Sequence, residues 1–426
     1  MGENKRFVYP ILAAVIGSFV VMQYIWSQFY PYLMSDFGLD TRAPVVMGAT
    51  WRGLGNMVLG PVIAGFLVDR FGPKITFSLA ALFTLTASIM LYYMSGLSSW
   101  ALASLWYYAG SFLSGLAGGF YAGTAPVTAA RWNPDRIGKA VGIANIGPGL
   151  AAIWMAPFCT IMINHYGVGS TYLWFGIIAC ATFLLGGVAF WKSPPENWKP
   201  KNWTPPTKSS YDDSEIVSAI GLLKDYRFWI IWTIIFCKCL AGAIFSMNAS
   251  LIYIDGLVTR GGEDYEYVLV FFIPFITAVV AVFNAVGRPI WGWIMDKIAN
   301  PFKTLIVLSA TQIGTYLFLF FGYTAVPTLI VADCLFNFAN AGSASINSAI
   351  CPVVFGIKKT GKVMGMMFTA TGAAWIIGPY FAAYVSDLVG GYGPILLSMT
   401  GLIVIDLFLA YILLVLSKRR LLDKNA

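Results

Sequence analysis

Long apolar stretches, separated by short polar segments, follow one another along most of the chain. A helix needs about 20 apolar residues to cross the hydrocarbon core of a bilayer, and each stretch is long enough to do so. The pattern predicts twelve membrane-spanning helices, with ends defined to within about two to four residues. They cover residues 7–34, 44–68, 75–96, 99–129, 138–162, 170–191, 228–253, 267–295, 303–323, 326–352, 363–386 and 392–416.

One long polar stretch, residues 193–227, divides the spans into two groups of six. A short pattern occurs once in each group, because residues 65–70 (GFLVDR) close the second span and residues 292–297 (GWIMDK) close the eighth. This repeat predicts an all-α membrane protein with two pseudo-symmetric six-helix halves. We expect an N-terminal bundle over residues 1–192, a cytoplasmic linker, and a C-terminal bundle over residues 228–426.

The composition and the charge distribution are typical of an integral membrane protein. Hydrophobic residues make up 58% of it and charged residues 11%, against about a quarter in soluble domains. Of the 27 lysines and arginines, 22 fall in the predicted inner loops and tails. This asymmetry places both termini in the cytoplasm and the protein in the cytoplasmic membrane. The net charge of +8 is therefore a topology signal, and we expect no nucleic acid partner.

Arg288 lies inside the predicted eighth span, about 12 Å from its cytoplasmic end. A guanidinium in the middle of a bilayer costs roughly 2.5 to 3.5 kcal/mol on insertion scales, so it must face protein or a water-filled cavity. Its planar fork matches a carboxylate and stays protonated. Arg288 therefore predicts an anion site, the alternative being an arginine held by backbone carbonyls or by Asp333.

Residues 65–74 (GFLVDRFGPK) resemble the cytoplasmic-loop signature of the major facilitator superfamily. The resemblance implies that family's twelve-helix fold. It also implies a role in gating for the charged residues of both copies of the signature, which are Asp69, Arg70, Lys74, Asp296 and Lys297.

Further segments resemble the oxalate:formate antiporter family within that superfamily. They are residues 23–27 (QYIWS), 131–136 (RWNPDR), 142–149 (GIANIGPG), 194–200 (PPENWKP) and 368–372 (FTATG). Because they touch both halves and the linker, the resemblance extends over essentially the whole chain. It implies transport of small organic anions.

The eighth span also resembles monocarboxylate transporters through residues 284–289 (NAVGRP). In that group the matching arginine holds the carboxylate of the substrate, which implies the same role for Arg288. The animal members carry an acid, held to bind the coupling proton, where this chain has Asn284. Asparagine can bind a carboxylate on the same helical face but cannot titrate, so antiport is favoured over proton symport. Asp333 remains a candidate coupling group.

One departure from the oxalate transporter pattern changes the expected substrate. That pattern has a lysine in the eleventh span where this chain has Thr371. A dianion would then keep an uncompensated charge, so a monocarboxylate is favoured. Lys238, in the seventh span, leaves three readings open: it replaces the missing cation, it pairs with Asp333, or its side chain extends along its helix toward water.

The remaining candidates lie in other spans. Tyr24 and Tyr121 could close over the substrate or donate a hydrogen bond to its carboxylate. Arg52 either lines the outer vestibule and attracts anions or makes a contact between helices. Asp406, in the twelfth span, is read as hydrogen-bonded to a neighbouring helix or as a proton carrier.

Nothing in the sequence predicts an enzyme, a cofactor or a metal site, because it has one histidine, no phosphate-binding glycine loop and no metal-ligand spacing. We predict a secondary active transporter that moves a monocarboxylate such as lactate, pyruvate, acetate or formate by alternating access. An oxalate:formate-type antiporter and a non-transporting carboxylate sensor are the alternatives. The expected partners are a small carboxylate, a counter-anion or a proton, and the lipid bilayer, and we expect a monomer.

Overall fold

The computed structural model is predominantly helical, and its described residues contain no strand. The described residues are 6–20, 22, 25–134, 137–192, 194–195, 200, 223–298, 300–355 and 360–423. The chain separates into two compact units. The first consists of Met1–Gly38 and Met47–Ile216, and the second of Leu39–Val46 and Val217–Ala426.

The helices of the first unit follow the predicted apolar stretches. They are α1 (Val8–Val20), α2 (Phe29–Phe37), α3 (Ala43–Gly53), α4 (Gly60–Phe71), α5 (Pro73–Ser95), α6 (Trp100–Trp132), α7 (Ile137–Ala144) and α8 (Gly147–Thr182). Two π-helical segments, Leu54–Leu59 and Phe183–Ala189, continue α3 into α4 and extend α8. The first four residues of α3 are grouped with the second unit.

The second unit is built from longer and more regular helices. They are α9 (Tyr226–Tyr253), α10 (Ile273–Ile298), α11 (Pro301–Gly322), α12 (Val326–Phe355), α13 (Thr360–Val389) and α14 (Gly393–Asp423). A π-helical segment, Ile254–Arg260, extends α9, and another, Val268–Phe272, leads into α10.

The same helix pairings occur in each unit taken by itself. In the first, α1 packs on α8, α4 on α6, and α5 on α8 together with its π-helical extension. In the second, α9 packs on α13, α10 on α12, and α11 on α14. These are the pairings of the first with the fifth, the second with the fourth, and the third with the sixth predicted span of each half. The repeat seen in the sequence is therefore matched by a repeat in packing.

Seven helical stretches of the described residues are long and apolar enough to cross a membrane. They are Ala43–Phe71, Pro73–Ser95, Ala140–Ala189, Tyr226–Arg260, Tyr265–Met295, Phe302–Gly322 and Gly393–Leu416. The total of twelve spans remains a prediction from the sequence.

Two breaks in the helices bear on the predicted spans. The first span was expected to be continuous, but α1 ends at Val20, Met22 is not helical, and a 3₁₀ turn, Trp26–Gln28, precedes α2. The second break divides α8 at Gly167, where φ is +79°, a conformation that favours glycine. It falls between the predicted fifth and sixth spans.

Glycines bring α3 and its π-helical extension close to α6. A Cβ atom on Gly115 would lie 2.2 Å from the carbonyl oxygen of Arg52, and one on Gly55 would lie 2.5 Å from that of Phe112. Small residues allow this approach of two membrane helices, whose association rests largely on van der Waals packing.

Gly115→Ala should therefore destabilise the protein. The added methyl group meets backbone, which cannot turn aside as a side chain can, and overpacking of this kind costs about 1 to 3 kcal/mol. Gly142→Ala is the matched control, because nothing lies within 4 Å of a Cβ there. We expect a lower melting temperature for purified Gly115→Ala than for Gly142→Ala, and equal melting temperatures would refute the packing argument.

Candidate functional site

Arg288 and Asn284 occupy one face of α10, one helical turn apart. The Nη2 group of Arg288 donates to Asn284 Oδ1 at 3.3 Å, and the residue is only partly buried. Pro289 follows inside the helix, and a proline there removes one backbone hydrogen bond of α10. The expected i, i+4 pairing of these two side chains is present in the structure.

Close packing against α12 holds this part of α10. A Cβ atom on Gly287 would lie 2.7 Å from the carbonyl oxygen of Phe338, so only glycine fits without a shift. The same carbonyl accepts a hydrogen bond from the Trp291 indole at 3.1 Å. The backbone between Asn284 and Arg288 is thus held against a neighbouring helix.

A chain of polar contacts leads from Asn284 to a buried carboxylate. Asn284 Nδ2 lies 3.5 Å from the carbonyl oxygen of Asn337, whose own Nδ2 donates to Asp333 Oδ1 at 2.8 Å. The other oxygen of Asp333 accepts from the Tyr253 hydroxyl at 2.5 Å. The chain joins α10, α12 and α9 within the second unit.

Asp333 is fully buried and makes no ion pair with a described lysine or arginine. The reading in which it pairs with Lys238, one of the three left open, is wrong. Its two oxygens are instead held by neutral donors, Tyr253 and Asn337. A buried acid without a cation is costly in its charged form, which makes it a candidate for carrying a proton.

Lys238 of α9 pairs with Asp406 of α14. Its Nζ atom lies 2.6 Å from Asp406 Oδ2 and donates to Ser309 Oγ at 3.0 Å and Gln312 Oε1 at 2.7 Å, both on α11. Neither charged side chain has any exposed surface. The reading of Lys238 as extending toward water is also wrong, and Asp406, read only as hydrogen-bonded or as a proton carrier, is the partner of a cation.

Thr371 lies close to the residue that follows Lys238. Its Oγ1 atom is 3.5 Å from the Cys239 sulfur, between α13 and α9. Successive helical residues point about 100° apart. Cys239 therefore faces Thr371, whereas Lys238 faces α11 and α14. This geometry gives no support to Lys238 as the replacement for the lysine that the oxalate transporter pattern has at the position of Thr371.

The two tyrosine candidates have different outcomes. The Tyr121 hydroxyl lies 3.0 Å from the carbonyl oxygen of Ala13 and 3.2 Å from that of Ala144, so its one hydrogen is shared between two backbone acceptors. Tyr121 thereby ties α6 to α1 and α7, and we leave it out of the proposed binding set. Tyr24 lies outside the described residues.

The gating residues are placed at helix ends. Asp69, at the end of α4, accepts a charge-assisted hydrogen bond from Arg131 of α6, and Gly72, with φ of +81°, ends the helix before Lys74. The side chain of Lys297 packs over the Trp293 ring, with 4.2 Å between Nζ and the ring centroid.

The other two gating candidates are Arg70 and Asp296. The guanidinium of Arg70 lies over the neighbouring Phe71 ring. The side chain of Asp296 lies outside the described part of the chain. A gating role for any of these residues stays a prediction.

Arg52 is buried in the first unit and does not line an open vestibule. Its guanidinium carbon lies 5.0 Å from the centre of the Trp26 ring, and 4% of the residue is exposed. No ion pair of Arg52 occurs in the described part of the chain. Among the described residues, no group of three or more His, Cys, Asp and Glu is placed to hold a metal ion.

For the candidate residues, two pairings were missed by reading the sequence, Lys238 with Asp406 and Asp69 with Arg131. For the first pair a signal exists, because a span that contains one charge needs an opposite charge from another span. Sequence separation cannot say which charge it is, since Asp333 and Asp406 are both available to Lys238.

Comparisons with known proteins agree with the fold. The family model of the Major Facilitator Superfamily matches residues 11–325 and 268–426. A solved bacterial homologue of the human lysosomal transporter Spinster has the same fold, with a TM-score of 0.63 and 14% identity over 97% of this chain and 96% of its own.

The relatives found by sequence share about a quarter of the aligned residues with this chain. The oxalate:formate antiporter of Oxalobacter formigenes is 23% identical over 402 residues, which cover 91% of this chain and 86% of the antiporter. Monocarboxylate transporter 13 of Rattus norvegicus is 25% identical over 137 residues, 30% of this chain and 32% of its own. The resemblances to the superfamily and to these transporters are confirmed.

Removal of either member of the buried ion pair should destabilise the protein strongly. Lys238→Met or Asp406→Leu leaves one uncompensated buried charge, which costs about 3 to 5 kcal/mol. The double variant removes both charges and should recover part of the loss. It should not recover all of it, because Ser309 and Gln312 lose polar partners.

Thermal unfolding of the purified variants measures these effects, and counterflow measures the consequence for transport. We expect the double variant to transport more than either single variant. Losses of stability that simply add would mean that the two side chains do not interact in the folded protein.

Proposed function

Because the chain belongs to the Major Facilitator Superfamily, we propose that it is a secondary transporter of small organic anions that works by alternating access. The substrates proposed are monocarboxylates such as lactate, pyruvate, acetate or formate. The observation that carries the proposal is the pair formed by Arg288 and Asn284 on α10.

Arg288 has the chemistry that carboxylate binding requires. Its guanidinium offers two parallel N–H groups in a fixed plane and carries a positive charge. Asn284 keeps it in place through a neutral oxygen, a contact that a bound carboxylate can supplement without displacing a negative charge. Partial burial strengthens the attraction, because fewer water molecules compete for the cation.

The balance of buried charge favours a substrate with one negative charge. Asp406 neutralises Lys238, so this lysine brings no net charge to the Arg288 site. Thr371 stands where the oxalate transporter pattern has a second cation. A dicarboxylate beside Arg288 would keep one charge uncompensated in a medium of low dielectric constant. The relative named an oxalate:formate antiporter keeps dicarboxylate exchange as the alternative.

Exchange of anions is the proposed coupling mode. Asn284 cannot carry a proton, and a curated relative is an antiporter. Proton symport is the second candidate, since Asp333 is a buried acid that neutral groups connect to Asn284. A charged and an uncharged Asp333 would differ in stability inside the bundle, which is what a proton-coupled step needs.

Counterflow in proteoliposomes, loaded with unlabelled acid and assayed with labelled lactate or acetate, tests the role of Arg288. Arg288→Gln should lower uptake at least about 100-fold, because it removes a charge-assisted bidentate contact. Arg288→Lys should keep partial activity as a point charge without the fork. Lys303→Gln, which removes an exposed cation, is the control and should leave uptake unchanged. Full uptake by Arg288→Gln would refute the binding role, and binding of acid without any counterflow would favour a sensor.

A pH-sensitive dye inside the same vesicles decides between the two coupling modes. Exchange predicts no proton flux with the substrate and no change in exchange rate for Asp333→Asn beyond its effect on stability. If protons enter with the acid, and Asp333→Asn abolishes that entry while exchange persists, Asp333 is the coupling residue and the protein is a symporter.

A further inference from the structure

We propose that Arg52, together with the hydroxyl of Tyr172, forms a second anion site in the first unit, and that it binds one small monovalent anion such as acetate or chloride. The site lies on α3 and α8, beside the 3₁₀ turn that carries Trp26. It contains none of the residues proposed to bind the transported acid.

Arg52 and Tyr172 each carry a polar atom that lacks a hydrogen-bond partner among the described residues. Arg52 Nε and the Tyr172 hydroxyl oxygen are both buried and have no hydrogen-bond partner in the described part of the chain. Each of these groups can donate a hydrogen bond. The groups next to Arg52 are the Tyr30 and Tyr172 hydroxyls and the Trp26 ring, which carry no charge at neutral pH. What this arrangement lacks is a negatively charged acceptor.

Acidic side chains that could balance the charge of Arg52 are scarce in this half of the sequence. Residues 6–192 contain four acidic side chains, Asp36, Asp40, Asp69 and Asp135. Asp36 and Asp40 are exposed, and Asp69 accepts from Arg131. Asp135 lies outside the described residues. Among the described residues of this half, no acid is therefore placed to neutralise Arg52.

The uncharged neighbours of Arg52 compensate only part of the charge of its buried guanidinium. The Trp26 ring gives Arg52 a cation–π contact, which covers one face of the group. A water molecule could accept the free hydrogen bonds but would leave the charge uncompensated. A bound anion supplies both the acceptor and the charge.

The charge and size of the ligand follow from the same residues. One guanidinium and neutral donors balance one negative charge, whereas a dianion would keep an excess charge among aromatic rings. Close packing of α3 on α6 through Gly55 and Gly115 restricts the space beside the Arg52 backbone, so the proposed ligand is a small anion. The π-helical segment Leu54–Leu59 begins two residues after Arg52, and such irregular turns often occur at functional sites.

Equilibrium binding to the purified protein, with labelled acetate in one arm and labelled chloride in the other, tests the proposal. The measurement is made on the Arg288→Gln variant, so that the site proposed for transport does not contribute. We expect one anion per chain for Arg288→Gln and none for the variant that also carries Arg52→Gln. Binding of acetate identifies a carboxylate site, and binding of chloride alone identifies an inorganic anion as the occupant.

Tyr172→Phe gives a second readout with little risk to folding. It removes one hydroxyl and should weaken the residual binding about 10- to 100-fold, the effect of one hydrogen bond to a charged group. Tyr411→Phe, at an exposed tyrosine of α14, is the control and should bind as Arg288→Gln does.

The proposal is overturned if Arg288→Gln binds neither anion, or if Arg52→Gln leaves the residual binding unchanged. Failure of the proposed transport role of Arg288 is separable from either result. In that case Arg288→Gln would bind as many anions as the wild type, whatever Arg52 does.

Discussion

The need to compensate each charge inside the bilayer governs the arrangement of the second unit. Lys238 and Asp406 meet at 2.6 Å with no exposed surface, and two polar groups of α11 complete the coordination of the lysine. This pair joins α9, α11 and α14. It leaves Arg288, on α10, as a separate and partly exposed cation beside a neutral asparagine. The fully buried Lys238 thus has a structural role, and the partly exposed Arg288 is available to bind a ligand.

The same constraint explains why the two units differ chemically. The second contains buried acids, Asp333 and Asp406, within its helices, whereas the helices of the first contain no buried acid among the described residues. Arg52 therefore rests on aromatic rings and hydroxyl groups, where Lys238 rests on a carboxylate. Two halves with the same helix pairings have in this way acquired different means of holding a cation. An anion bound to Arg52 would give each unit a buried cation that is paired with a negative charge.

Much of the fold could be read from the sequence, because hydrophobic length and positive charge on inner loops are governed by the bilayer itself. The i, i+4 pair of Asn284 and Arg288 was also predictable, since it depends on one helix only. The partner of Lys238 was not, because it depends on which faces of α9 and α14 meet. The break after Val20 and the backbone acceptors of Tyr121 were missed for the same reason, as both depend on neighbouring helices.

We claim that Arg288 binds the substrate and that Asp406 neutralises Lys238. A high-resolution structure determined with a bound monocarboxylate tests this claim most directly. The account predicts the carboxylate on the Arg288 guanidinium, next to Asn284, with the Lys238–Asp406 pair intact. A carboxylate bound by Lys238, with Asp406 displaced from it, would contradict the account. It would show that Lys238, and not Arg288, binds the substrate.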